Sequence, residues 1–134
     1  MKTLLISMSI IIVIGAVAFV YLFNYIDSDE NDKQSISDMN KYSYETPEMT
    51  TDLKNGAFVR IQFLVITDGK KAVEEVKERE FQIQNILIKE LAVMSEDDFR
   101  EGLSEIESAL QDDLNKVLDD GIVTDVYTIN KILQ

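Results

Sequence analysis

Residues 57–67 read Ala57-Phe58-Val59-Arg60-Ile61-Gln62-Phe63-Leu64-Val65-Ile66-Thr67. Ala57, Val59, Ile61, Phe63 and Val65 alternate onto one face, the period of a half-buried β-strand. Arg60 and Gln62 point the other way, but Leu64 and Ile66 then make that second face apolar too. The strand is therefore expected to be covered on one side at its start and on both sides at its far end. Asp68-Gly69 is a turn signal that closes it.

Beyond the turn the period changes. Val73, Val76, Ile83, Leu87, Leu91 and Met94 recur at sums of three and four, so Lys70 to Met94 is expected as helix. Phe81-Gln82-Ile83-Gln84 alternates briefly and marks a place where that helix can break. Ser95 and Asp98 have the spacing of an N-cap and its N3 partner, and Glu96, Asp97 and Asp98 suit the positive end of a helix dipole. Phe99, Leu103, Ile106, Leu110, Leu114 and Val117 then form one apolar stripe, expected as a second long helix. Gly121 fits a left-handed cap after it, and Ile122 to Leu133 is rich in β-formers. The order is strand, helix, helix, strand, with room for a short strand before residue 56. The expected fold class is α+β: a small two-layer domain of long helices on a short mixed or antiparallel sheet. Residues 52–134, with 18 acids and 10 bases, are enough for one core.

Upstream, Asp27 to Thr51 is polar, with seven acids against two bases and the only proline, Pro47. It is expected as an acidic linker whose last third, through Tyr42, Tyr44, Met49 and Leu53, docks on the domain. As a flexible chain its 25 residues would reach roughly 25–30 Å. Before it, Leu4 to Phe23 is a run of 20 residues with no charge and no proline. In a helix that run is about 30 Å long, the hydrocarbon thickness of a bilayer. Lys2 precedes it, and Asp27, Asp29, Glu30 and Asp32 follow. That asymmetry places the N-terminus in the cytoplasm and the remainder outside. The rival is a cleaved signal peptide with its site at Ala16-Val17-Ala18. The apolar run continues past that site to Phe23, longer than an ordinary signal core, which favours an uncleaved anchor. The expected organisation is residues 1–26 as cytoplasmic start and anchor, 27–51 as extracytoplasmic linker, and 52–134 as extracytoplasmic domain.

Composition limits the chemistry. The chain of 134 residues has 25 acids, 13 bases and a formal net charge of -12. Such a balance is the reverse of a nucleic-acid footprint. Cysteine and histidine are absent, which removes disulfides, Cys/His zinc sites and Ser-His-Asp or Cys nucleophile arrangements. Asp27-x-Asp29-x-Asn31, with Asp38 at the twelfth place, echoes a calcium loop, but Asp32 occupies the position that needs glycine. The paired acids Asp112-Asp113 and Asp119-Asp120 diverge by about 100° on a helix and do not converge on a substrate. Ser104 and Ser108 have no base to activate them, and no phosphate-cradling glycine motif occurs. No catalytic residue, cofactor site, metal site or small-molecule substrate is assigned.

Further residues occur in a telling order: Thr46-Pro47-Glu48, Asn55-Gly56, the strand Val59 to Val65, and Ile83-Gln84-Asn85-Ile86-Leu87-Ile88. Leu91, Glu101-Gly102-Leu103, Leu114-Asn115-Lys116-Val117-Leu118, Val126-Tyr127-Thr128 and Gln134 follow. Across nearly its whole length the chain resembles the FliL family of flagellar basal-body-associated membrane proteins, with Ile129 and Ile132 departing from the family's terminal pattern. The resemblance implies a non-enzyme, an accessory of the flagellar motor that associates with the basal body and with MotA/MotB-type stator units in the cell membrane. It also implies support of rotation, swimming or swarming, a domain similar to the stomatin/prohibitin (SPFH-like) domain, and a homo-oligomer or ring. The alternative is a membrane-anchored extracytoplasmic module that binds or senses cations and has no flagellar role. A secreted enzyme released by signal cleavage is the third reading.

Overall fold

The computed structural model describes residues 14–21 and 34–134. Residues 14–21 are helical (α1). The rest of the expected span from Leu4 to Phe23 lies outside the described residues, as do Lys2 and Asp27 to Asp32. Among the described residues no helix is long and apolar enough to cross a membrane.

Ser35 to Gln134 forms a compact unit of its own. Its elements are α2 (Ile36–Lys41), β1 (Ser43–Glu45), β2 (Met49–Asp52), β3 (Phe58–Thr67), α3 (Lys70–Glu78), α4 (Glu80–Ala92), α5 (Glu96–Glu101), α6 (Leu103–Val117) and β4 (Val123–Leu133). The class is α+β, and every strand pairing is antiparallel. The segment expected as a linker thus contributes α2, β1 and β2.

β3 is the centre of the sheet. β4 pairs with it from Val59 to Thr67, which leaves the opposite edge to β1 and β2 placed end to end. The two short strands are separated at Thr46-Pro47-Glu48, where the register on β3 slips by one residue. Buried Thr46 holds that junction: its N–H donates to the Phe63 carbonyl at 2.9 Å, and its hydroxyl accepts the Phe63 N–H at 3.0 Å. Pro47, with no N–H to leave unpaired, suits a break on an edge strand.

Val59, Ile61, Phe63 and Val65 face the helices and are buried with Val76, Ile83, Leu87, Leu91, Phe99, Ile106, Leu110 and Leu114. These are the alternating and helical stripes of the sequence, joined into one core between two layers. On the other face Arg60, Gln62 and Leu64 are half-buried, whereas Ile66 is buried. α2 packs on β3 at that end, where the Tyr42 carbonyl accepts the Thr67 N–H at 3.0 Å. The far end of β3 is therefore covered on both sides.

Three local expectations change. The helix from Lys70 breaks at Arg79 and not within Phe81–Gln84. Arg79 has φ -93° and ψ 16°, and its guanidinium is held by Glu75 and Gln82. The helix after Ser95 is not continuous to Val117. It is split at Gly102, where a Cβ would lie 2.6 Å from the Asp98 carbonyl oxygen. Glycine's low helix propensity and that close approach favour a bend there. Gly121 has the left-handed φ of 78° but does not cap the helix. α6 ends at Val117, Leu118 is extended, and Gly121 turns the loop into β4.

Candidate functional site

Sequence reasoning assigned no catalytic or metal-binding residue, and the structure shows what the candidate groups do instead. Asp38 is the N3 residue of α2: its backbone N–H donates to the Ser35 hydroxyl at 3.1 Å, and its carboxylate accepts from the same hydroxyl at 2.8 Å. Its oxygen is committed to a helix cap. The other members of the calcium echo, Asp27, Asp29, Asn31 and Asp32, lie outside the described residues. Among the described residues no group of three or more acids is placed to hold a metal ion.

The acid pairs separate. Asp112 is exposed, while Asp113 accepts from Lys116 at 2.6 Å, one turn along α6. That carboxylate raises the Lys116 pKa. Asp119 lies 3.5 Å from Arg79, and Asp120 lies 3.8 Å from Lys71. Ser104 and Ser108 are exposed on α6. These groups converge on no common point.

The polar groups that do converge belong to seams between elements. On α6, Glu107, Gln111 and Asn115 recur every fourth residue and meet β4. Asn115 accepts the Val123 N–H at 2.7 Å and donates to the Val123 carbonyl at 3.0 Å, as a neighbouring strand would. Gln111 donates to the carbonyls of Val123 at 3.2 Å and Thr124 at 2.8 Å. Glu107 accepts the Thr128 N–H at 2.7 Å beside the slip in register between Gln62 and Phe63. One helix stripe thus satisfies part of the outer edge of β4 and blunts it against further pairing. The four-residue spacing was visible in the sequence, but nothing there showed which strand it would meet.

A second seam joins α3 to the α6–β4 loop. Glu75 accepts the backbone N–H groups of Asp119, at 3.1 Å, and Asp120, at 3.3 Å, while Arg79 grips it at 2.6 Å. The Arg79 hydrogen bond first, helped by the two N–H groups, holds the Glu75 carboxyl below the usual range. A third contact ties β1 to α4: the Tyr44 hydroxyl donates to Glu80. Burial, with that carboxylate beside it, pushes the Tyr44 pKa up to about 12.

Among the described residues, the exposed surface includes an acidic groove and an apolar sheet face. Asp97, Asp98, Glu101 and Glu105 line an open groove of about 510 Å³ at the α5–α6 bend, with no base among its lining residues. The exposed face of the sheet carries Phe58 and the cross-strand pairs Leu64–Tyr127 and Arg60–Ile132.

Residues 43–134 match the family described as flagellar basal body-associated protein FliL. The chain belongs to the FliL family. A relative, the flagellar protein FliL of Bacillus subtilis (strain 168), is 31% identical over 123 residues, covering 90% of this chain and 87% of its own. The FliL match begins at β1 and takes in the whole sheet with α3 to α6. It leaves out α2, whose cap at Ser35 holds Asp38. FliL-family membership makes this a flagellar basal-body-associated protein.

Proposed function

We propose that this chain is a non-enzymatic accessory of the flagellar motor. It is anchored in the cell membrane by Leu4 to Phe23, with its N-terminus in the cytoplasm and its C-terminal domain outside. The observation that carries the reading is the FliL-family match over the α+β unit from β1 onward. The anchor rests on the uncharged run and on the charge asymmetry around it. In this reading the domain, a two-layer fold of the SPFH-like kind, contacts MotA/MotB-type stator units or its own copies and supports rotation by holding them in place. Its net negative charge repels anionic lipid, which turns the domain toward protein partners and away from the bilayer.

The test is a deletion strain complemented with the full-length chain or with a soluble form exported through a cleavable signal. Swimming, swarming and filament number are scored. The deletion is expected to keep its filaments and lose motility, and only the anchored form should restore movement. An anchor raises the domain's effective concentration beside other membrane proteins. Full rescue by the soluble form overturns the anchoring argument. Loss of filaments in the deletion assigns the protein to assembly instead.

A further inference from the structure

The chain has seven asparagines, and Asn55 alone precedes a glycine. Asn55-Gly56 lies in the turn that joins β2 to β3. The Leu53 N–H donates to the Ala57 carbonyl at 2.8 Å, and the Gly56 N–H donates to the Leu53 carbonyl at 2.9 Å. Lys54, Asn55 and Gly56 are exposed. A Cβ at Gly56 would meet nothing within 4 Å, so the surface around that backbone is open to solvent.

An asparagine followed by glycine is chemically unstable in a free chain, because no Cβ crowds the attacking nitrogen. The Gly56 nitrogen loses its proton to hydroxide and attacks Asn55 Cγ. The Cγ–Nδ2 bond breaks, and the departing nitrogen takes a proton from water, which restores the hydroxide and releases ammonia. The cyclic imide then takes up water at either carbonyl and opens to aspartate or isoaspartate. One water enters, one ammonia leaves, and no atom is oxidised or reduced.

In the folded chain the reacting groups are engaged. Asn55 Nδ2 donates to Glu96 Oε1 at 2.8 Å, and Asn55 Oδ1 accepts the Ala57 N–H at 3.2 Å. The Leu53 carbonyl holds the Gly56 N–H. Ring closure needs Cγ turned onto the Gly56 nitrogen, so these bonds must open first. The Glu96 tether is the one that reaches to another element, and it can be removed without touching the turn. A reaction that proceeds through a locally opened state follows the population of that state.

We propose that Asn55 is a site of spontaneous deamidation by water and that Glu96 sets its rate in the folded chain. The change alters the packing of the turn. Glu96 is the first residue of α5, and the adjoining Lys54 N–H donates to the Met94 carbonyl at 3.1 Å, so the turn is joined to the α4–α5 junction at two points. Deamidation removes the Nδ2 donor and sets a carboxylate against that of Glu96, and like charges at such a distance repel. The loss runs in one direction, because the ammonia does not return. The inference is independent of the motor role.

The full-length chain is incubated at mildly alkaline pH, and peptide mass spectrometry follows the replacement of NH2 by OH at each asparagine. In denaturing urea Asn55 should convert faster than the other six. In the folded chain it should convert at least tenfold more slowly than in urea, yet still ahead of Asn115 and Asn130. Glu96→Ala should raise the folded rate at least threefold, whereas Glu96→Gln, which keeps an acceptor oxygen, should stay close to the unchanged chain. Gly121→Ala weakens the fold away from this turn and should leave the rate alone, which separates local opening from general loss of stability. Asn55→Asp, which carries the product's charge, should speed hydrogen exchange at the Lys54 N–H. The proposal is overturned if folded Asn55 reacts no faster than Asn115 or Asn130, if it matches its rate in urea, if Glu96→Ala leaves its rate unchanged, or if Gly121→Ala raises it as much.

Discussion

At the scale of single residues, several side chains replace missing backbone partners. Asn115 supplies a donor and an acceptor to Val123, whose own residue is buried. Removing them takes the side-chain partner from the Val123 N–H and leaves its carbonyl to Gln111, at about 1–3 kcal/mol for an unsatisfied buried group. Asn115→Ala should therefore lower the urea midpoint clearly, whereas exposed Ser108→Ala should change stability by about 0.5 kcal/mol or less. Equal effects would show that the amide is not seated on β4. Titration follows the same contacts. Glu75 is held below its ordinary 4.5 by Arg79, and Asp98 is lowered by the Ser95 backbone and hydroxyl. Their contributions are present above the ordinary carboxylate range and are lost as pH falls through the lowered folded values. Tyr44 is raised from 10.0 to about 12, so its contribution is present below pH 10 and is lost as pH rises between those values. Thermal melts across pH should show both slopes. Glu75→Gln should flatten the acid one and Tyr44→Phe the alkaline one; unchanged slopes would refute the assignments.

At the scale of elements, two glycines set the turns that lead into strands. Gly121 combines φ 78° with a space in which a Cβ would lie 2.5 Å from Asp68 Oδ1 and 2.9 Å from the Ala72 Cβ. Gly56 has a similar φ of 85° but open space around it. Gly56→Ala should therefore cost about 1 kcal/mol from backbone strain alone, and Gly121→Ala measurably more, because α3 must also move. A reversed order in chemical denaturation would mean that the loop yields freely. The core stripe of α6 makes a sharper contrast. Leu110 is fully buried, so Leu110→Ala should cost about 2–5 kcal/mol. Asp113, paired only with exposed Lys116, should be nearly silent as Asp113→Ala. Both outcomes follow from the spacing of Ile106, Leu110 and Leu114, which the sequence displays openly.

At the scale of the whole molecule, the expected topology has one direct check: a reporter fused after Gln134 should be active only outside the cytoplasm. Activity of a cytoplasm-only reporter there would reverse the orientation. The sequence by itself determined the α+β class, β3 with its two-sided far end, the capping box at Ser95, and the apolar stripes that became the core. Each of these is a repeat of period two or 3.6, or a short local motif, so its physics is contained within a few neighbouring residues. The family, too, was legible there, because its signature is an order of local motifs. Tertiary structure alone decided the rest. The break at Arg79 falls where Glu75, itself held by the Asp119 and Asp120 N–H groups, grips the guanidinium. α2 and β1 arise from a polar stretch whose own burial is slight, and they are ordered by β3 beneath them. Asn115, Gln111 and Glu107 are ordinary surface residues until β4 arrives beside them. Phe81 and Ile88 are visible in the chain, yet only the packed fold shows that Ile83, Leu87 and Leu91 fill the core and leave those two exposed. Pairings between residues distant in the chain carry no local period, and that is why they wait for the fold.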